Sequence, residues 1–191
     1  MPERLKFSAT GLLSAALWLA ASLGAAAATV TPMVSVGDLH LLALRSDGAV
    51  LSWGANAHGQ LGFGRQTFQA RPGQVAGLSG VQRVGVGDNH SLALRSDGSL
   101  WAWGANDSGQ LGDGSTSDRA RPVLIAGLGK VAMACGGGQY SMALAQDGTV
   151  WAWGDNSTGV LTDAAPGSSP IPLRPAGVAV GRWRRLAHAG A

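Results

Sequence analysis

Two histidines in this chain follow an aspartate by two positions, Asp38 with His40 and Asp88 with His90, each within Gly-Asp-x-His. An Asp–His pair can serve as a general base or as part of a metal site, but either role needs a third group. Strand alternation puts both side chains of each pair on one face with no such group nearby. Fifty residues further on, the same places hold Gly138 and Tyr140. The spacing therefore predicts polar residues that hydrogen-bond between neighbouring sheets. Asp47, Asp97 and Asp147 stand before Gly48, Gly98 and Gly148, where an aspartate caps its own turn.

Other chemistry-bearing residues resolve in the same direction. Trp53, Trp101, Trp103, Trp151 and Trp153 would suit a carbohydrate-stacking platform, but tryptophan at strand spacing is first of all sheet core. Ser96-Asp97-Gly98 ahead of Trp101 approaches the Asp-box of sialidases with the wrong spacing, and such an enzyme also needs a tyrosine nucleophile and an arginine cluster. Tyr140 is the single tyrosine, on a strand that reads as buried. Gly127-Leu-Gly-Lys130 lacks the gap and hydroxyl of a phosphate loop. Asn106-Asp-Ser108 and Asn156-Ser-Thr158 are formal glycosylation sequons that coincide with a recurring motif. Cys135, the one cysteine, excludes an intramolecular disulfide and is expected to be a buried, inert thiol at a strand end. No catalytic residue, metal ligand or cofactor is assigned.

The elements that would position these residues come from a repeat. Asp-Gly-Ala-Val-Leu-Ser-Trp-Gly at 47–54 returns at 97–104 and 147–154 without a gap, and 20 of 29 positions agree between 36–64 and 86–114. Its recurring positions are Asp47, Gly48, Trp53, Gly54, Asn56 and Gly59, then Asp97, Gly98, Trp103, Gly104, Asn106 and Gly109, then Asp147, Gly148, Trp153, Gly154, Asn156 and Gly159. In the second copy, 90–94 and 99–103 read as strands joined by an Asp-Gly hairpin. Val81–Val86 and Pro122–Ile125 supply two more. Large residues alternate with small ones, as in a sheet covered on both faces. A period near fifty with four strands per unit describes propeller blades.

The pattern His-Ser-Leu-Ala-Leu, Asp-Gly, Trp-x-Trp-Gly-x-Asn-x-x-Gly-Gln-Leu-Gly, nearly complete over 86–112, resembles the regulator-of-chromosome-condensation repeat family. The resemblance covers about residues 34–187 and implies a seven-bladed propeller. It is specific for the repeat and weak for activity, since members include exchange factors on chromatin, ubiquitin-ligase modules and secreted β-lactamase inhibitors. Here three units stand, and the third is eroded at Val160, Thr162 and Ala164. The expected fold is all-β: a partial β-propeller of about three four-stranded antiparallel blades plus the first strand of a fourth. Its segments are a linker at 29–35, repeats at 36–85, 86–135 and 136–181, and the shortened start of a fourth at 182–191.

Residues 1–28 show Arg4 and Lys6, an apolar run, and small residues at Ala25–Ala28, the layout of a secretory signal peptide; an uncleaved anchor is the rival reading. Export would make the chain secreted or periplasmic, with no membrane attachment after cleavage. A net charge of +3 and 13% charged residues supply no basic stripe for nucleic acid. The expected function is non-catalytic protein binding or scaffolding through the loops at Ala55–Gln66 and Ala105–Ser117. The alternatives are a remnant without independent activity, or an exported carbohydrate-binding or carbohydrate-active protein. The partner is an unidentified protein. Self-association is also expected, through bare faces near Leu42, Leu44 and Trp53 at one end and Met142, Leu144 and Trp153 at the other. N-terminal sequencing of the exported chain should return Ala28 or Thr29; intact Met1 in the membrane fraction would establish the anchor instead.

Overall fold

A computed structural model describes residues 30–159, 161 and 167–175. The signal segment at 1–28, Val160, Thr162, Ala164 and the fourth-repeat segment at 182–191 lie outside the described residues. Among those described, all regular structure is strand, in three four-stranded antiparallel sheets. The first holds β1 (Met33–Val36), β2 (His40–Leu44), β3 (Val50–Gly54) and β4 (Gln69–Gln74). The second holds β5 (Val81–Val86), β6 (His90–Arg95), β7 (Leu100–Gly104) and β8 (Arg119–Leu124). The third holds β9 (Val131–Gly136), β10 (Tyr140–Ala145), β11 (Val150–Asp155) and β12 (Ser168–Leu173). Within each sheet, strands neighbour one another in sequence order, so every sheet is a simple meander.

The registers repeat as the sequence does. His40 pairs with Gly54, His90 with Gly104 and Tyr140 with Gly154. A shift follows in the third strand of each sheet, between Ser52 and Gly54, Ala102 and Gly104, and Ala152 and Gly154. Met33–Ser35, expected in a linker, belong to β1 and pair with β2. The sheets also run ahead of the repeat boundaries, because β5 and β9 open their sheets from within the preceding repeat.

The hairpin turns explain why strands this short pair in one register. Asp97 Oδ1 accepts the Ser99 amide at 2.9 Å, as Asp47 does from Ala49 at 3.0 Å and Asp147 from Thr149 at 2.8 Å. Gly98 then takes φ 84°, a conformation that a side chain disfavours.

Two clusters join the sheets. Leu42, Leu44 and Val50 of the first meet Val81, Val84, Ala93 and Trp103 of the second. Leu92, Leu94 and Leu100 of the second meet Val131, Ala143 and Trp153 of the third. Small residues permit this approach: Ala93 is fully buried opposite the leucines of the first sheet. Near the start of the central strands the chains touch through backbone, with Asp38 N–H donating to Asp88 O and Asp88 N–H to Gly138 O, both at 3.2 Å.

Four expectations about exposure are corrected. Leu42, Leu44 and Trp153 line inter-sheet cores and do not stand on bare faces. The cause is parity. Leu41 pairs with Trp53, and Ser141 with Trp153, so each tryptophan shares a face with those residues and opposes Leu42 or Met142. The outward faces instead carry Val34 and Val36, 63% and 66% exposed, at one end and Met133, 52% exposed, at the other. Cys135 is exposed, not buried, because it pairs with Met142 on that same outward face.

A Cβ at position 98 would lie 3.0 Å from Lys130 Cβ in addition to the φ strain. Gly98→Ala should therefore lower stability by more than about 1 kcal/mol, read as a reduced urea midpoint at unchanged slope. A midpoint equal to that of the parent would contradict this turn.

Candidate functional site: the loop face and the polar seam beneath it

The loops after β3 and β7 form one end of the sheets, and a single side chain organises each. Asn56 Oδ1 accepts the Leu61 amide at 3.0 Å, while its Nδ2 donates to Arg65 O at 2.8 Å and Thr67 O at 3.1 Å. Asn106 repeats this with Leu111 at 3.0 Å, Ser115 O at 3.0 Å and Ser117 O at 3.1 Å. Asn156 Oδ1 accepts the Leu161 amide at 2.8 Å. Asn106 is fully buried and Asn156 nearly so, which removes both from use as glycan acceptors. An asparagine suits the task because one planar amide satisfies both a donor and several acceptors of a folded loop.

Gly59 and Gly109 continue these loops toward the next sheet. A Cβ on Gly59 would press on Ala120 of the second sheet, and one on Gly109 on Pro170 of the third. The same atom on Gly54, Gly104 or Gly154 would collide with the carbonyl of Leu39, Asn89 or Gln139 respectively. The recurring aspartates, glycines and asparagines are thus occupied by a turn, a loop anchor or a close backbone approach.

Beneath the loops runs a buried polar seam. Gln60 O accepts two hydrogen bonds from the second sheet, from Trp103 Nε1 at 2.8 Å and Ser91 Oγ at 2.8 Å. Gln110 O accepts the equivalent pair from the third sheet, Trp153 Nε1 at 2.9 Å and Ser141 Oγ at 2.8 Å. His40 Nε2 lies 3.0 Å from Ser91 Oγ, and His90 Nε2 lies 2.8 Å from Ser141 Oγ. Each serine spends its one hydroxyl hydrogen on the carbonyl, so each imidazole is the donor and carries its proton on Nε2. Nδ1 of both rings is buried without a hydrogen-bond partner among the described residues. The histidines therefore bond between sheets, as their spacing predicts. Asp38 and Asp88 precede the strands, in the bends before His40 and His90, instead of sharing a strand face with them.

Burial dominates the titration of these rings. It pushes His40 down to about 4, against backbone groups of Asp88 and His90 that favour the proton. Burial pushes His90 down to about 3, with nearby His40 acting in the same direction. Both are neutral at pH 7 and sealed from solvent. Asp97 is held below the usual carboxylate range by the Ser99 hydroxyl and amide, and Asp147 by Thr149.

The tryptophans divide by position. Trp103 and Trp153 are fully buried, whereas Trp53 is half-buried on the outward face of the first sheet. Trp101 and Trp151 are half-buried beneath Arg95 and Arg174, whose guanidinium carbons lie 5.9 Å and 4.7 Å from the rings. No row of free indole faces forms among them. The Gln60 and Gln110 carbonyls were not singled out by residue type, since a main-chain acceptor leaves no mark of its own. The invariant run Gly-Gln-Leu-Gly at 59–62 and 109–112 was the available signal.

The geometry agrees with what the chain matches. Models of the Regulator of chromosome condensation (RCC1) repeat cover residues 47–94 and 97–144, and a second such model covers 81–110 and 131–159. The chain is 49% identical over 49 residues to the human probable E3 ubiquitin-protein ligase HERC3, spanning 25% of this chain and 5% of that protein. The crystal structure of human WBSCR16 superposes with a TM-score of 0.68 at 30% identity, over 76% of this chain and 38% of that one. Prp20p of Saccharomyces cerevisiae superposes with a TM-score of 0.69 at 24% identity, over 74% and 37%. The chain thus spans well under half the length of these relatives.

Two outcomes follow from the seam. An unfolded histidine binds its proton near pH 6.5 and the folded ones only near 4 and 3, so stability is fully present above 6.5 and is lost as pH falls below it. The loss should approach about 1.4 kcal/mol per pH unit per histidine between pH 6 and 4, measured by thermal melts across that range. A flat profile would contradict neutral, buried rings. Ser141→Ala should cost about 1–3 kcal/mol in urea unfolding, because His90 Nε2 then loses its acceptor inside the core and Gln110 O loses a donor. A loss of a few tenths would mean that water reaches the seam.

Proposed function

The chain belongs to the regulator of chromosome condensation (RCC1) repeat family, and we propose that it is an exported, non-catalytic propeller-repeat module that binds another protein through its β3–β4 and β7–β8 loops. One observation carries this reading. The loops are long and irregular, yet buried Asn56 and Asn106 brace them from within, and the Gln60 and Gln110 carbonyls tie them to the next sheet, while Ala57, Arg65, Gln66, Asp107, Thr116 and Ser117 remain exposed. Prepaid loop order lowers the entropic cost of docking a partner, and residues on such loops are free to vary with the partner.

The non-catalytic reading is supported by the fate of the best acid–base candidates. His40 and His90 are fully buried and bonded to serine, beyond the reach of a substrate. A carbohydrate platform loses its support with the burial of Trp103 and Trp153. The chromatin and ubiquitin-ligase roles of relatives are not carried over, because export separates the chain from those partners and its +3 charge forms no basic stripe.

Site-specific photo-crosslinking tests the proposal. A photoreactive residue at Ala57 or Thr116, on the loop face, should trap one defined protein from the exported compartment. The same probe at Ser46 or Ser96, in the hairpin turns at the opposite end of the sheets, should trap none. Equal trapping from both ends, or trapping only from the turns, would overturn it.

A further inference from the structure

On the loop face, at the junction of the first two sheets, three ligand-type side chains meet. His58, in the loop after β3, places Nδ1 2.9 Å from Oδ2 of Asp118, just before β8. Asp107, in the loop after β7, completes the group, with one ligand atom from each residue within 4.8 Å of the others. Three atoms that close share a centre no more than about 2.8 Å from any of them, so shifts of under about 1 Å give zinc–nitrogen and zinc–oxygen bonds of roughly 2.0–2.2 Å.

Two of the three are held from behind. Asp118 Oδ1 accepts the Asn106 amide at 2.8 Å, and the His58 amide donates to Gln60 Oε1 at 3.0 Å. Fixing a ligand through its other atoms is how proteins orient a metal site. His58 and Asp118 keep side-chain exposures of 38% and 25%, so water can fill the remaining coordination positions.

The repeat supplies an internal control. At the junction of the second and third sheets, the same places hold Ser108, Ser157 and Ser168. The framework there is unchanged, since Trp153 still bonds Gln110 O and Leu161 still bonds Asn156, while Ser108 Oγ donates to Gln139 Oε1 in place of the His58–Asp118 contact. The junction therefore forms without an imidazole or a carboxylate at these places. The donor set at 58, 107 and 118 is an addition made at one junction.

We propose that His58, Asp107 and Asp118 bind a divalent first-row transition-metal ion, with Zn2+ the best match, and so clamp the loop of the first sheet to the second. One imidazole and two carboxylates suit zinc; an all-oxygen shell would be needed to favour Ca2+ or Mg2+. The site is independent of which protein the loop face binds.

Co2+ is the probe, added to the untagged chain in a Cys135→Ser background to remove the exposed thiol. His40 and His90 are buried and cannot compete. The expected result is a saturable visible absorption band at one ion per chain, displaced by Zn2+. His58→Ser and Asp107→Ser, which install the residues of the other junction, should each weaken binding by roughly tenfold or more at unchanged thermal stability without metal. Absence of a saturable band at millimolar Co2+, or a smaller loss in either variant, would overturn the proposal and leave His58–Asp118 as a hydrogen bond between sheets.

Discussion

One backbone oxygen per junction decides whether these sheets can lie against each other. Gln60 O receives an indole N–H and a serine hydroxyl from the second sheet, and Gln110 O receives the same pair from the third. A carbonyl has two acceptor sites, and both are filled from across the junction. The oxygen is held in place by the loop that contains it, and that loop is shaped by Asn56 or Asn106. Loop order and sheet packing are consequently one problem. Polar satisfaction matters most here because the seam is buried: an unmet group would cost more than its hydrogen bond contributes when made.

This arrangement explains why so much of the repeat is spent on residues with no chemistry of their own. Gly54, Gly59, Gly104 and Gly109 leave room for backbone of a neighbouring strand or sheet. Trp103 and Trp153 each combine a large buried surface with a single donor, which allows one residue to fill the junction and aim at the carbonyl. What remains for function is the outer skin of the loops, where the two junctions differ: His58 with Asp118 at one, Ser108 with Gln139 at the other.

The fold was legible because the repeat is gapless and the Asp-Gly turns fix their own register. The bonding of His40 and His90 between sheets was legible too, because an Asp–His pair lacking a third group has few other uses. Facing was less so. Leu42 and Trp53 look equivalent along their strands, but the register set by His40 opposite Gly54 sends them to opposite sides. Cys135 was misread for the same reason: its partner Met142 faces outward while Ser141, one residue away, faces the second sheet. A shift of one residue reverses every facing in a strand, and hydrophobicity cannot reveal it when both sides are apolar. The donor set at 58, 107 and 118 was hidden because its members come from two repeats and meet only across a junction.

The central claim is that the loops are locked into the junctions and move with the sheets. Native-state hydrogen exchange at Leu111 reads this directly, since its amide is bonded to Asn106 Oδ1 in the loop and not to any strand. The account predicts protection at Leu111 equal to that of Leu92 and Ala102 in the paired strands, with all three opening together. Exchange at Leu111 as fast as in an open loop, while the strand amides stay protected, would contradict it.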